Sequence, residues 1–257
     1  MQRIGIMAAM HNEIAGVLAQ MESVTTRRIG MRDYHDGLLH GLPCVVVLAR
    51  IGKVAAAATA VTLIREFGID ALIFTGLAGG VAQAARVGDV VIGTTLLQHD
   101  LDASPLFPRH EIPLLGCSRL HADPVLAGAL ECATRQFLEE AWAREVAPAT
   151  RQAFGLAQPQ VHAGLIVSGD QFISGPSAVL ALSAELPDAL CVEMEGAAVA
   201  QICHEYDTRF AVLRVVSDRA DESAHHDFNT FLSQVASHYS AGIVRRFVGA
   251  LAARRTA

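Results

Sequence analysis

Short, uninterrupted apolar runs alternate along this chain with longer helix-like stretches. Residues 3–8 (RIGIMA), 43–50 (PCVVVLAR), 71–75 (ALIFT), 87–97 (VGDVVIGTTLL), 161–168 (VHAGLIVS) and 210–216 (FAVLRVV) read as strands, being short and strongly β-prone. Residues 53–67 (KVAAAATAVTLIREF) read as a helix that stops at Gly68, because glycine takes the left-handed conformation of a helix end without steric cost. Residues 121–145, 196–206 and 228–251 read as three further helices, the last a long amphipathic closing one. Continuously apolar strands alternating with helices predict an α/β, three-layer sandwich: a mixed, mainly parallel central sheet covered by helices on both sides. Residues 146–160, with Pro148 and Pro159, read as a surface loop. There is no internal repeat, and 257 residues lie within reach of one hydrophobic core, so residues 1–257 are expected to form a single domain.

Composition narrows the partners. Apolar side chains make up 52% of the chain and charged ones 18%, and the net charge is −6. An acidic surface disfavours nucleic acid and anionic membranes, both of which select a basic face. The five cysteines are odd in number, scattered and without a CxxC pair, which reads as free thiols in a reducing compartment, hence a cytoplasmic protein without a zinc site. The opening apolar stretch is too short for a signal peptide, and no membrane-spanning run is expected.

In such sheets ligands gather where strands end and loops begin. Four strand exits carry unusual residues. The first, AAMHNE, places Glu13 just past a buried strand, as a general base or as a first-turn acid favoured by the helix dipole. In the second, TGLAGG, glycines permit close backbone approach to a ligand, in a strand-to-helix turn lacking both the P-loop and the GxGxxG spacing. In the third, VEMEGAA, Glu193 and Glu195 share a face if the segment is extended and diverge if it is helical. Acids in such apolar surroundings are costly unless paired or functional. The fourth, RVVSDRAD, puts Arg214, Val216 and Asp218 on one side of a strand by alternation, with Ser217 and Asp218 at its end, where they either cap the next segment or line a polar site. His99–Asp100 and His225–His226 lack metal-site spacing, and SGDQF lacks the nucleophile-elbow pattern, so no metal and no cofactor are expected.

Taken in order, IGIMAAMHNEI, IGKVAAA, TGLAGG, VGDVVIG, GLIVSGDQFI, VEMEGAAVA and VVSDRAD resemble the 5′-methylthioadenosine/S-adenosylhomocysteine nucleosidases of the purine nucleoside phosphorylase-like family. The resemblance implies a purine nucleoside as substrate. It implies that Asp218 protonates the purine at N7 while Ser217 orients that carboxyl, and that Glu13 deprotonates the attacking water with Arg214 nearby. Glu195 would bind the ribose hydroxyls, Met194 would pack on the sugar, Phe172 would stack on the base and the Ile173 backbone would read its edge. Glu193, Ile51, Gly79 and Leu77 complete the implied substrate-binding set. It further implies a homodimer with residues 99–113 near the partner. The sequence departs from the family pattern at Leu77, where a serine near the water is expected, in 99–113, and in a longer 139–160 stretch.

The alternatives are a phosphorylase, in which Arg214 and Arg86 would hold phosphate, a nucleosidase for another purine nucleoside of futalosine type, and a non-catalytic nucleoside-binding protein. A flavodoxin-like carrier is open on fold alone.

Overall fold

The computed structural model describes residues 3–219 and 229–256. Each apolar run of the sequence becomes a strand whose alternate residues enter different cores. From β1 (Ile4–Ala8), Ile4 and Ile6 enter one core and Met7 the other; β4 (Leu42–Leu48) divides likewise, Cys44 and Val46 against Val45 and Val47. Burial on both faces is why these runs show no polar alternation. The first core is covered by α1 (His11–Leu18), α3 (Pro124–Glu140) and the closing helix α8 (Ser237–Thr256), the second by α2 (Lys53–Phe67) and α7 (Gly196–Glu205).

Between β1 and β4 run a helix and a hairpin, β2 (Glu22–Ile29) and β3 (Arg32–Leu39). Then follow β5 (Ala71–Gly80), β6 (Val90–Gln98), the two-residue β7 (Leu120–His121), the short helices α4 (Trp142–Glu145) and α5 (Pro148–Ala153), β8 (Val161–Ser168), α6 (Pro176–Glu185), β9 (Ala189–Glu193) and β10 (Arg209–Asp218). The sheet runs β10-β6-β8-β9-β5-β1-β4-β3-β2, and β10 also pairs with β5. That second pairing closes β5, β9, β8, β6 and β10 into a ring, so the architecture is not the plain three-layer sandwich expected. The sheet is mixed, but among the described residues parallel and antiparallel pairings are equal in number. Two of the antiparallel pairings belong to the ring, β9 onto the end of β5 and β10 onto β6; the other three join β2 to β3, β3 to β4 and β7 to β6.

Several boundaries move for local reasons. Gly68 ends α2 at φ 59°, as its residue type predicts. The helix expected over 121–145 starts only at Pro124, because Asp123 accepts hydrogen bonds from the Val125 and Leu126 amides as its N-cap, and it breaks at Ala141. The segment expected as a loop over 146–160 holds α5 and the fully buried Val146. The closing helix contains a π-helical turn, Leu232–Ala236, before α8; its predicted start at Phe228 lies outside the described residues. The glycine segment is not a turn but the last part of β5. Among the described residues no helix is long and apolar enough to cross a membrane.

Candidate active site

A cleft of about 630 Å³, partly open to solvent, lies at the carboxyl ends of the parallel strands. β1 delivers Ala9, Met10 and Glu13; β5 delivers Leu77, Ala78 and Gly79; β9 delivers Val192 to Glu195; β10 ends in Asp218. Ile51 comes from the turn after β4, and Gln171, Phe172 and Ile173 from the segment after β8. The four exits singled out in the sequence therefore meet in one place. Two of the twelve candidate residues, Ser217 and Arg214, do not line the cleft but touch side chains around it.

Glu13 combines the two readings the sequence left open. It is in the first turn of α1, where its Oε2 accepts from the Met10 amide at 2.8 Å, and its Oε1 accepts from the Leu77 amide at 3.0 Å on the cleft side. Burial raises its pKa, and Arg214 only partly offsets this. The backbone at Gly76 runs close to both charged groups: a Cβ would stand 3.1 Å from Glu13 Oε1 and 3.3 Å from Arg214 Nη1, tight enough to press on each. Leu77, 6% exposed, turns an apolar side chain to the same region.

Arg214 is 1% exposed and fully engaged. Its Nη2 donates to Glu193 Oε2 at 2.5 Å, its Nη1 donates to the Leu213 carbonyl at 3.0 Å, and its guanidinium lies 4.1 Å from the centre of the Phe74 ring. Burial opposes its charge, but the carboxylates of Glu193, Glu195 and Glu13 prevail and raise its pKa. Glu193 is equally committed. Besides Arg214 it accepts from the Ser168 hydroxyl and from the Glu195 and Gly196 amides, at 3.1 and 2.8 Å, and so caps α7 from the end of β9. With its oxygens occupied, Glu193 holds the site together rather than presenting a free carboxylate to a ligand. The VEMEG segment is neither an extended run nor a helix throughout; the chain turns at Met194, which separates the two acids.

Glu195, 5% exposed, begins α7 and faces the cleft. Its Oε1 accepts from the Gly52 amide at 2.8 Å, and burial, reinforced by Glu193, pushes its pKa well above the usual carboxylate range. Asp218, 2% exposed, accepts from the Ser217 hydroxyl at 2.7 Å. The β10–β5 register slips between Val216 and Asp218, so Ser217 is the extra residue of a bulge. The strict alternation expected for Arg214, Val216 and Asp218 is thereby interrupted, and the bulge aims Asp218 into the cleft. Phe172 and Ile51, 44% and 53% exposed, form its outer rim. Ser168, Gly52, Met10 and Gln171 were not singled out from the sequence. Met10 and Gln171 adjoin residues that were, whereas the contacts of Ser168 and Gly52 span 25 and 143 residues. Among the described residues no three His, Cys, Asp or Glu side chains form a metal-binding group.

The model of the phosphorylase superfamily matches residues 3–249. A 5′-methylthioadenosine/S-adenosylhomocysteine nucleosidase of Aeromonas salmonicida is 31% identical over 97% of this chain and all of its own length. This chain belongs to that nucleosidase family, within the phosphorylase superfamily. Among solved structures, the family's Neisseria meningitidis nucleosidase, in complex with methylthio-immucillin-A, matches with TM-score 0.86 and 35% identity, over 97% of this chain and 100% of that one. A futalosine hydrolase of Helicobacter pylori matches with TM-score 0.82 and 29% identity, over 96% and 97%. The match to the Neisseria meningitidis structure thus extends over nearly the whole fold.

Proposed function

We propose that this chain hydrolyses the N-glycosidic bond of 5′-methylthioadenosine and S-adenosylhomocysteine, releasing adenine. The observation that carries this reading is the acidic lining of the cleft: among the described residues it holds Glu13, Glu193, Glu195 and Asp218 and no basic side chain. Glycosidic cleavage builds positive charge on the sugar, which preorganised carboxylates stabilise. The same lining disfavours phosphate, which selects cationic donors. Arg214 is committed to Glu193 and backbone carbonyls, and neither Arg214 nor Arg86 is among the lining residues.

In this mechanism Asp218, oriented by Ser217, gives its proton to purine N7. The bond between N9 and C1′ breaks with its electron pair passing to the base, and adenine leaves neutral. Water attacks C1′, and its proton goes to Glu13. Glu195 holds the ribose hydroxyls, Met194 packs on the sugar, Phe172 stacks on the purine and the Ile173 backbone reads its edge. Arg214 holds Glu193 in place behind them. The protein acts as a homodimer with 99–113 beside the partner; Leu106 in this segment stands 84% exposed and Leu114, just after it, 89%. Its five unpaired cysteines suit the reducing cytoplasm.

The test is adenine release from both nucleosides, with and without phosphate. Phosphate-independent release, reduced about 10²–10⁴-fold in Asp218→Asn, is expected, the range that a general acid contributes. Release only with phosphate overturns hydrolysis and the role of Glu13. Release from a futalosine-type nucleoside alone would favour the second reading, which rests on the futalosine hydrolase neighbour and on Leu77.

A further inference from the structure

Three charged residues outside the cleft, from segments far apart in sequence, close a ring of hydrogen bonds. The Lys53 amide donates to Asp170 Oδ1 at 2.8 Å, the Asp170 amide donates to Asp100 Oδ2 at 2.8 Å, and Lys53 Nζ donates to Asp100 Oδ1 at 2.6 Å. Lys53 Nζ also reaches Gln98 Oε1 at 3.2 Å, and Gln98 in turn donates to Gln201 of α7 at 2.7 Å. The fold explains the ring. Helix α2 begins after Gly52, which has no side chain to cap it, and Asp170 supplies the cap from 117 residues away. The Lys53 and Asp100 side chains are only 18% and 25% exposed, so their attraction is screened less than that of a surface pair.

Each end of the ring is within two residues of the cleft lining. Lys53 follows Gly52, whose amide holds Glu195, and Asp170 precedes Gln171, Phe172 and Ile173. The base of the latter segment is fixed as well, since a Cβ on Gly169 would meet His99 Nε2 at 2.3 Å, so the His99 ring lies directly on that backbone.

We propose that Lys53, Asp100 and Asp170 are positioning residues that form a clasp, fixing the distance between the base-side segment 171–173 and the sugar-side turn 51–52. The proposal rests on the reading of the cleft as a purine nucleoside site. A ligand touching only the base side is indifferent to the clasp. A nucleoside spans both sides and reacts only when C1′, Glu13 and Asp218 are in register, a requirement in which a displacement of about 1 Å costs about 10²-fold in rate. No clasp residue touches the reacting atoms.

The experiment compares Lys53→Met, which keeps the aliphatic stem and loses the ammonium, with Lys53→Arg, which restores a cationic donor. Adenine release from 5′-methylthioadenosine and adenine Kd are measured in both and in the parent. The expected result is a loss of about tenfold or more in kcat/KM for Lys53→Met, an adenine Kd within about twofold of the parent, and recovery of most of the loss in Lys53→Arg. Asp100→Asn is expected to repeat the loss, and the Lys53→Met/Asp100→Asn double variant to lose no more than either single one, because both break the same ring. Asp100→Asn serves alone if Lys53→Met does not fold. A kcat/KM within about twofold of the parent overturns the clasp, as does an adenine Kd that weakens in step with kcat/KM, which is general damage. A parent that releases no adenine overturns the hydrolase reading instead. The clasp is then decided by the Kd values of uncleaved nucleoside and of adenine in the same proteins, selective loss of the former supporting it and equal values or no binding overturning it.

Discussion

Glu195 is a carboxyl group buried beside another carboxylate, and the fold prefers it protonated. A group whose pKa is raised on folding adds stability that is complete below its ordinary pKa and is lost as pH rises through the raised value. Glu195→Gln removes this dependence while keeping an oxygen for the Gly52 amide. Its Tm relative to the parent is therefore expected to be higher at about pH 9 than at about pH 5, because only the parent must then bury the charge. A gain of roughly 2–4 °C corresponds to one kcal/mol in a chain of this size. Thermal unfolding at the two pH values checks it, and an equal difference at both removes the argument. The sequence disclosed the identity of the acids at this scale but not their division of labour. Glu193 and Glu195 are two residues apart and read alike, yet one is consumed by Arg214, Ser168 and the start of α7, while the other keeps its face to the cleft. That division depends on contacts far along the chain, which no local pattern encodes.

At the level of single elements, β10 shows how one strand serves both scaffold and site. Its odd residues Ala211, Leu213 and Val215 pack into one core and Val212 and Val216 into the other, while Arg214 is carried among them to meet Glu193. Arg214→Met leaves Glu193 buried without its cation, and breaking a buried pair in this way costs about 3–5 kcal/mol. A fall in Tm of roughly 10 °C is expected, measured by calorimetry, since each kcal/mol lowers it by about 2–4 °C; a fall of under about 2 °C would show that the hydrogen bonds from Ser168 and the backbone suffice for Glu193. Elements buried on both faces were legible because burial writes an apolar run into the sequence. The hairpin β2–β3 was not, since β2 (ESVTTRRI) is exposed almost throughout and carries neither an apolar run nor alternation. The end of β5 misled for the opposite reason: its glycines lie in a strand with neighbours packed close against them, the Glu13 and Arg214 side chains at Gly76 and the Ala85 carbonyl at Gly80, and not in a turn.

For the molecule as a whole, the prediction concerns assembly. Sedimentation should give twice the chain mass of 27.3 kDa, and Leu106→Glu with Leu114→Glu should shift it to one chain by placing charges on two exposed leucines in and beside 99–113. A single-chain mass for the parent would remove the dimer. Six of the ten strands were readable, but ring closure was not, because it rests on pairings between segments far apart in sequence, β10 with β5 and the two residue pairs Gly79 with Val192 and Gly80 with Cys191. That closure has a consequence for solubility. An open sheet exposes unpaired backbone at both margins, where another chain can add a strand and begin aggregation. Here β10, which would have been one margin, is paired on both sides by β5 and β6. Among the described residues the long margin left is β2, bearing Arg27, Arg28 and Glu22 and kinked where its register shifts between Glu22 and Thr25. A strand that is charged and bent offers a poor template, so the hoop that assembles the cleft also leaves this apolar chain, among its described residues, one long border, and that a guarded one.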